Sequence, residues 1–278
     1  MKIWKTLLQA LLGLLAACAA AAAVGTWILP QENDLLGTVG GIRLSVSGIG
    51  AGLSLLTMLA FADGWIGARN RRLPEARGIG RVMNGLGFGL LPGVAVWKVF
   101  EQHTALGRGN PLPEGLNLSG FLTREDAWLP SLLELMLALL LFVAVVIWLM
   151  LRKADLPENG DLFGVSAVCW GAVRTVTEGF RAAQLSLLGE TRVVGWLAAG
   201  VVLAGLVVWC ARNLRQKRNT GYILACIPVF LVSITGIVLI QNGVIRSGIP
   251  AVNLAAQCCF ALLAMKAALC LGRISRIG

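Results

Sequence analysis

The sequence predicts an all-α, polytopic integral membrane protein of about eight transmembrane helices in one membrane domain. Composition is the first reason: 57% of the 278 residues are apolar and only 14% are charged, with a mean hydropathy of +0.77. A soluble domain carries about a quarter charged residues and less than half apolar ones. The second reason is clustering, because the apolar residues gather in stretches close to the ~20 needed to cross a bilayer. The third is that basic residues concentrate in alternate loops. These features exclude a soluble globular enzyme, a disordered chain and a disulfide scaffold. They also give the net charge of +10 a topological meaning, so that no nucleic-acid partner is expected.

The first apolar segment, near 7–29, follows Lys2 and Lys5. Leu15-Ala16-Ala17-Cys18 matches a lipoprotein cleavage box, but the apolar run continues through Ala19–Val24 to Leu29. A cleaved signal has an apolar core of about 7–15 residues, so this segment reads as a membrane helix. The second and third segments, near 44–66 and 82–100, flank a loop with Arg69, Arg71, Arg72, Arg77 and Arg81 against Glu75. Gly48, Gly50, Gly52, Gly85, Gly87, Gly89 and Gly93 let backbones approach closely. Pro92 predicts a kink or a break in the third helix, and a break would line a cavity with free backbone groups.

The loop 101–128 carries Glu101, Glu114, Glu125 and Asp126 and suits the outside. The fourth segment, near 129–151, ends at Arg152 and Lys153. The fifth, near 161–180, is the most polar, with Arg174, Thr175, Thr177 and Glu178. The sixth, near 193–211, leads to Arg212, Arg215, Lys217 and Arg218; the seventh and eighth lie near 221–241 and 252–271, before Arg273 and Arg276. With eight spans all these basic clusters fall on one side, which places both termini in the cytoplasm. The organisation expected is a membrane domain over 1–220 and two additional helices over 221–278.

The seven cysteines (Cys18, Cys169, Cys210, Cys226, Cys258, Cys259 and Cys270) all lie within apolar runs, and His103 is the sole histidine. There is no CxxC. The cysteines read as small hydrophobes, and neither a metal nor a cofactor is expected.

A charge inside a bilayer costs some ~2.5–3.5 kcal/mol on insertion scales, so each one calls for a partner or a purpose. Arg174 and Glu178 are four apart and share a helix face. The predicted spans put Lys98, Glu134, Arg174, Glu178 and Arg181 at similar depth toward the outer side. Two readings follow: a pocket for an anionic phospholipid headgroup with Arg174 on its phosphate, or an ion-pair network in which Lys98 and Arg174 balance Glu134 and Glu178. Asp63 and Lys266 lie near inner helix ends and read as anchors. With Asn84, Asp63 is the only helix-borne candidate for a polar path toward the inner side.

The stretch from Leu129 to about Leu214 resembles the C-terminal part of bacterial prolipoprotein diacylglyceryl transferases. The matching residues are Pro130 and Glu134, Arg152-Lys153, Leu162-Phe163-Gly164, Trp170-Gly171, Arg174, Glu178, Phe180-Arg181 and Gly189-Glu190. Upstream, Ser47-Gly48-Ile49-Gly50 falls where that family has His-Gly-Gly-Leu. Gly85–Gly93 fits the approach to its Gly-Arg-x-Gly-Asn signature, which sets Leu90 in place of the Arg and Gly93 or Val94 in place of the Asn. Gly107-Arg108-Gly109-Asn110 is a competing match, one spacer short and in a loop; the first alignment keeps the helix order.

The resemblance implies a multi-pass protein of the bacterial inner membrane. Its partners would be phosphatidylglycerol, or a related anionic phospholipid, and a prolipoprotein signal peptide. The implied reaction attaches the diacylglyceryl group to a lipobox cysteine thiol, which needs an activated thiol and basic residues for the leaving phosphate. The candidate catalytic residues are Arg174, Glu178 and His103, the last as a replacement base from the outer loop. The candidate lipid-binding residues are Arg174, Glu134, Lys98 and Arg181. Three functions stay open: an active transferase, a catalytically inactive lipid- or lipoprotein-binding relative, and a small-solute transporter.

Overall fold

The structure is a computed structural model. It describes residues 2–28, 35–70, 79–104, 107–111, 123–124, 127–151, 161–177, 181, 200, 203–204, 207, 209–210, 220–241, 244–245 and 247–274. The longer helices are α1 (Lys2–Ala23), extended by one wide π turn (Val24–Ile28), α2 (Val46–Asn70), α3 (Ile79–Glu101), α4 (Pro130–Leu151), α5 (Asp161–Thr177), α6 (Thr220–Gln241) and α7 (Pro250–Ile274). They match seven of the eight segments expected from hydropathy. Most of the remaining segment, 193–211, lies outside the described residues. Among the described residues four helices are long and apolar enough to cross a membrane, over Leu7–Thr26, Val46–Gly67, Arg81–Glu101 and Pro130–Leu151; Leu224–Ile240 and Ala255–Ala267 are shorter apolar stretches.

The helical membrane fold is as expected, and two short strand pairs are added to it. Strands β1 (Leu35–Val39) and β2 (Ile42–Ser45) form an antiparallel hairpin between α1 and α2. Its turn is Gly40-Gly41, with φ of 58° and 81°. A two-residue turn with positive φ at both positions follows the twist of the strands, and glycine adopts it without steric cost. The Arg43 amide donates to Thr26 Oγ1 at 3.2 Å, and Ser45 Oγ accepts from the Gly48 amide at 2.9 Å, capping α2. A second, shorter ladder pairs β3 (Thr123–Arg124) with β4 (Ala127–Trp128).

The chain divides into two compact units. The first comprises Met1–Phe163 with Arg181–Ala183, and the second Gly164–Phe180 with Gln184–Gly278. In the first unit α3 is central: half of its apolar window is buried, against 11% for α1. Small residues make this possible. Gly85, Gly89 and Gly93 recur every four residues on α3 and face Ala62, Met58 and Ser54 of α2, also four apart. A Cβ on Gly89 would collide with the Met58 carbonyl, and one on Gly93 would lie 2.9 Å from the Ser54 carbonyl oxygen. This is the small-residue seam by which membrane helices approach when lipid offers them no hydrophobic drive.

Pro92 does not break α3, which runs unbroken from Ile79 to Glu101. The glycine seam and the buried Pro92 belong to packing rather than to an opened cavity wall. Asn84 is also reassigned. It is 5% exposed, and its Oδ1 accepts from the Leu162 amide at 2.9 Å. The first turn of a helix has amides without intrahelical partners, and Asn84 supplies an acceptor for one of them at the start of α5. The opposite face of α3 closes at the same place, where Gly87 abuts the backbone of Phe163. Asp63 and Lys266 are both exposed, in keeping with anchoring.

On α4 the buried residues are Pro130, Ser131, Glu134, Ala138 and Val145. They form one narrow stripe, while Leu139, Leu140, Val143, Ile147 and Met150 are exposed. Glu134 therefore faces the protein interior and not the apolar surface.

The second unit has its own core, in which Val168 of α5, Trp209, Cys210, Cys226 and Phe230 of α6, and Ala264 and Ala267 of α7 pack together. Gly164 makes room for the Trp209 indole, which would stand 2.6 Å from a Cβ there. A smaller cluster of Val176, Ile237 and Ala261 carries Phe260 at its side.

Candidate functional site

Three elements of the first unit converge on a buried set of charges. Lys98 and Glu101 stand on the last turn of α3, Glu134 on the first turns of α4, and Arg181 on a short segment following α5. Exposure is 5% for Lys98, 4% for Glu101, 0% for Glu134 and 1% for Arg181. Lys98 Nζ pairs with Glu101 Oε2 and lies 2.6 Å from Glu134 Oε2. Arg181 Nη1 donates to Glu101 Oε1 at 2.6 Å, and Nη2 donates to Glu134 Oε2 at 3.0 Å.

Each cation thus meets both carboxylates. Buried charges are tolerated when they are paired and hydrogen-bonded, and removing one member leaves the rest uncompensated. Arginine suits the role because its rigid fork reaches two acceptors at once.

A loop lies against this cluster. The Glu101 carbonyl accepts from the Thr104 amide at 3.0 Å and from Thr104 Oγ1 at 2.8 Å. The Gly107 amide donates to the Thr104 carbonyl at 3.1 Å. Ser131 Oγ of α4 donates to the Gly107 carbonyl at 3.1 Å. Gly109 forms an antiparallel bridge with Arg181, and Pro111 one with Ala127. Gly107 and Gly109 are buried, while Arg108 and Asn110 are exposed. The alternation is that of a strand, with the two glycines inward and the two polar side chains outward.

Of the residues expected at the site, Lys98, Glu134 and Arg181 come together. Arg174 lies on α5 in the second unit, 9% exposed. Its carbonyl accepts from Thr177 Oγ1 at 3.3 Å, and the neighbouring Thr175 Oγ1 donates to the Gly171 carbonyl at 2.7 Å. Glu178 lies outside the described residues. His103 is exposed just past α3, and its Nε2 is 3.3 Å from Gln102 Nε2. Ser47, standing where the resemblance expects a histidine, is fully buried at the start of α2.

Glu101 is the residue that sequence reasoning missed, because it was assigned to the outer loop. A usable signal was present: Lys98 and Glu101 are three apart at a helix end, a spacing at which opposite charges meet. Among the described residues no group of three or more potential ligands could hold a metal ion.

The profile of the prolipoprotein diacylglyceryl transferases matches residues 56–211, more than half of the chain. Two similar relatives are phosphatidylglycerol–prolipoprotein diacylglyceryl transferases of Lactococcus lactis. The one from subspecies lactis is 42% identical over 62 residues, which is 22% of this chain and 23% of the relative. The one from subspecies cremoris is 35% identical over 60 residues, again 22% and 23%. The chain therefore aligns with less than a quarter of the length of either. No solved structure matches. The profile spans α3, the Gly107–Asn110 loop, Glu134 and the Arg174–Arg181 pattern in one continuous match, and on that ground the chain belongs to the prolipoprotein diacylglyceryl transferase family.

Proposed function

We propose that the protein acts on phosphatidylglycerol or a closely related anionic phospholipid, transferring its diacylglyceryl group to the cysteine of a lipobox peptide. In that reaction the thiol sulfur bonds to the glyceryl carbon and the carbon–oxygen bond to the phosphate breaks. The glycerol phosphate leaves with the electron pair, and the thiol proton passes to a base. A basic side chain beside the departing phosphate lowers the barrier where negative charge develops. Arg174 is the proposed phosphate ligand and Glu178 its proposed orienting partner. His103 is the proposed base, exposed in the loop beyond α3.

The observation that carries this reading is the family match across 56–211. Lys98 and Arg181 each pair with both Glu101 and Glu134; we assign Lys98, Glu134 and Arg181 to support of the site and the phosphate to Arg174. The Gly107-Arg108-Gly109-Asn110 segment is the better candidate for the family's Gly-Arg-x-Gly-Asn signature, since it lies beside Arg181. The earlier alignment would place Gly93 in the seam against Ser54, where a signature asparagine has no room. We further propose eight spans, both termini in the cytoplasm of an inner membrane, the family-like domain over 1–220 and the helices of 221–278 as an addition to it.

Ser47 favours a second reading, a catalytically inactive relative that binds the lipid or a lipoprotein. A buried hydroxyl cannot take a proton as an imidazole does near neutral pH. One experiment separates the two. Purified protein is given radiolabelled phosphatidylglycerol and a lipobox peptide, beside an Arg174→Ala control. Transfer that the control abolishes is the expected result. Absence of transfer, with lipid copurifying only when Arg174 is present, establishes the binding relative. Neither transfer nor Arg174-dependent lipid overturns both.

A further inference from the structure

The β1–β2 ribbon joins two helices long and apolar enough to cross a membrane, α1 and α2, and stays close to the level at which the first of them ends. A Cβ on Gly25 would stand 2.5 Å from the Arg43 carbonyl oxygen and 3.0 Å from Ser45 Oγ, and the Arg43 amide donates to Thr26 Oγ1. Gly25 and Thr26 close the apolar span Leu7–Thr26, so β2 lies alongside the last turn of that span. A strand advances about 3.4 Å per residue, which keeps the Gly40-Gly41 turn within about 7–10 Å of Arg43. The headgroup region on each side of a bilayer is about 5–8 Å deep. Whichever way the ribbon leans, most of it falls within that layer.

The two faces of the ribbon differ. Pairing sets Val39 opposite Ile42, Gly37 opposite Leu44 and Thr38 opposite Arg43. Residues paired across strands share a face, as do residues two apart on one strand. Val39, Ile42 and Leu44 therefore form one apolar face, and Thr38 and Arg43 occupy the other. All of these side chains are exposed, Val39 by 66%, Ile42 by 46% and Leu44 by 38%. An apolar face left open on an amphipathic element suits the boundary between water and lipid. A two-stranded ribbon is marginally stable in water, and the outer edges of its strands carry amides and carbonyls that hydrocarbon cannot satisfy. The headgroup layer meets both conditions. A second copy of the chain fits less well, since a stable interface buries about 800 Å² per partner and three side chains offer far less.

We propose that the β1–β2 ribbon is an interfacial membrane anchor: it lies in the headgroup layer beside the end of α1, with Val39, Ile42 and Leu44 turned to the acyl chains and Thr38 and Arg43 to the polar side. The arginine stem can bury while its charge stays among the headgroups. The anchor does not depend on the transfer reaction and holds equally for an active enzyme and an inactive relative.

The test uses the full chain reconstituted in vesicles of phosphatidylethanolamine and phosphatidylglycerol. A benzophenone analogue of phenylalanine is placed singly at Val39, at Ile42 and at Thr38, with Leu11, exposed midway along α1, as the lipid-facing reference. After irradiation the intact protein is weighed. Lipid adducts at Val39 and Ile42 are expected to approach the yield at Leu11 and to exceed that at Thr38 by about fivefold. Using both apolar positions guards against a label that disturbs the ribbon at one of them. Yields at Val39 and Ile42 no higher than at Thr38 overturn the anchor. A product of twice the chain mass also overturns it and makes this face an interface between copies.

Discussion

Arg181 Nη1 donates to Glu101 Oε1 at 2.6 Å across a sequence separation of 80 residues. That bond, with the 3.0 Å bond from Nη2 to Glu134, ties the end of α3 to the start of α4 through a side chain from beyond α5. Its energetic meaning lies in what happens when it is cut. Arg181→Ala removes one of the two cations that Glu101 and Glu134 share, in a buried setting. Breaking a buried pair by deleting one partner costs about 3–5 kcal/mol. We expect a marked fall in melting temperature in detergent, with Arg181→Lys recovering only part of it because an ammonium lacks the two-pronged fork. An Arg181→Ala protein that melts with wild type would show that the cluster contributes nothing to stability.

The seam between α2 and α3 makes a prediction of opposite sign at two glycines. Gly89→Ala drives a methyl into the Met58 carbonyl, and overpacking of this kind costs about 1–3 kcal/mol. Gly64→Ala, on α2, meets nothing within 4 Å. Glycine inside a helix is worse than alanine by about 0.5–1 kcal/mol, so Gly64→Ala should be neutral or slightly stabilising. Thermal unfolding of the two single variants side by side checks both signs, and equal behaviour would refute the seam.

Asn84→Ala tests the cap on α5. The substitution strips the acceptor from the buried Leu162 amide, and an orphaned buried donor costs about 1–3 kcal/mol. The loss should appear as faster hydrogen exchange in the first turn of α5, with α2 unaffected. If Asn84 served a solute path instead, the stability of α5 would not change.

Gly40 and Gly41 carry the hairpin turn at φ 58° and 81°. Replacing Gly41 by Val places a β-branched residue where it is a steric outlier, at a cost of about 1–3 kcal/mol for a strained residue. Gly41→Asn should be far milder, since asparagine tolerates this region. Protease resistance of the hairpin, compared between the two variants, reads the difference.

The helices were legible because burial in lipid demands long apolar runs, and such runs can be read directly from a chain. Their ends came within a few residues, as at α4, expected near 129–151 and found at Pro130–Leu151. The hairpin was not legible, although Gly40-Gly41 between two short apolar runs is a known turn signal, because strands of five and four residues stand out little between two long apolar helices. Glu101 escaped for a different reason. A carboxylate at a helix end is ordinarily solvated, and only the arrival of Arg181 from 80 residues away makes it interior. Lys98, Glu134 and Arg181 were legible as costly charges in apolar surroundings, yet their partners depended on tertiary packing. Pro92 left a kink, a break or plain packing open, and of these the break does not occur: α3 runs as one helix, packed against Ser54 and Met58 on one face and Phe163 on the other.

The cluster can be dissected by a double-mutant cycle on Lys98 and Glu134, whose charged atoms lie 2.6 Å apart. Lys98→Met alone leaves two carboxylates sharing Arg181, and Glu134→Gln alone leaves two cations sharing Glu101. Each single variant therefore carries an unbalanced buried charge. The pair of substitutions together leaves Arg181 with Glu101, a neutral arrangement. Contacting residues within one network couple by about 0.5–3 kcal/mol, and here the sign follows from charge. The double variant should be more stable than the sum of the two single losses predicts, and no less stable than the poorer of the single variants. Chemical denaturation of all four proteins in one detergent gives the coupling. Additive losses would mean that Lys98 and Glu134 act independently, and that water or lipid headgroups, rather than each other, satisfy their charges.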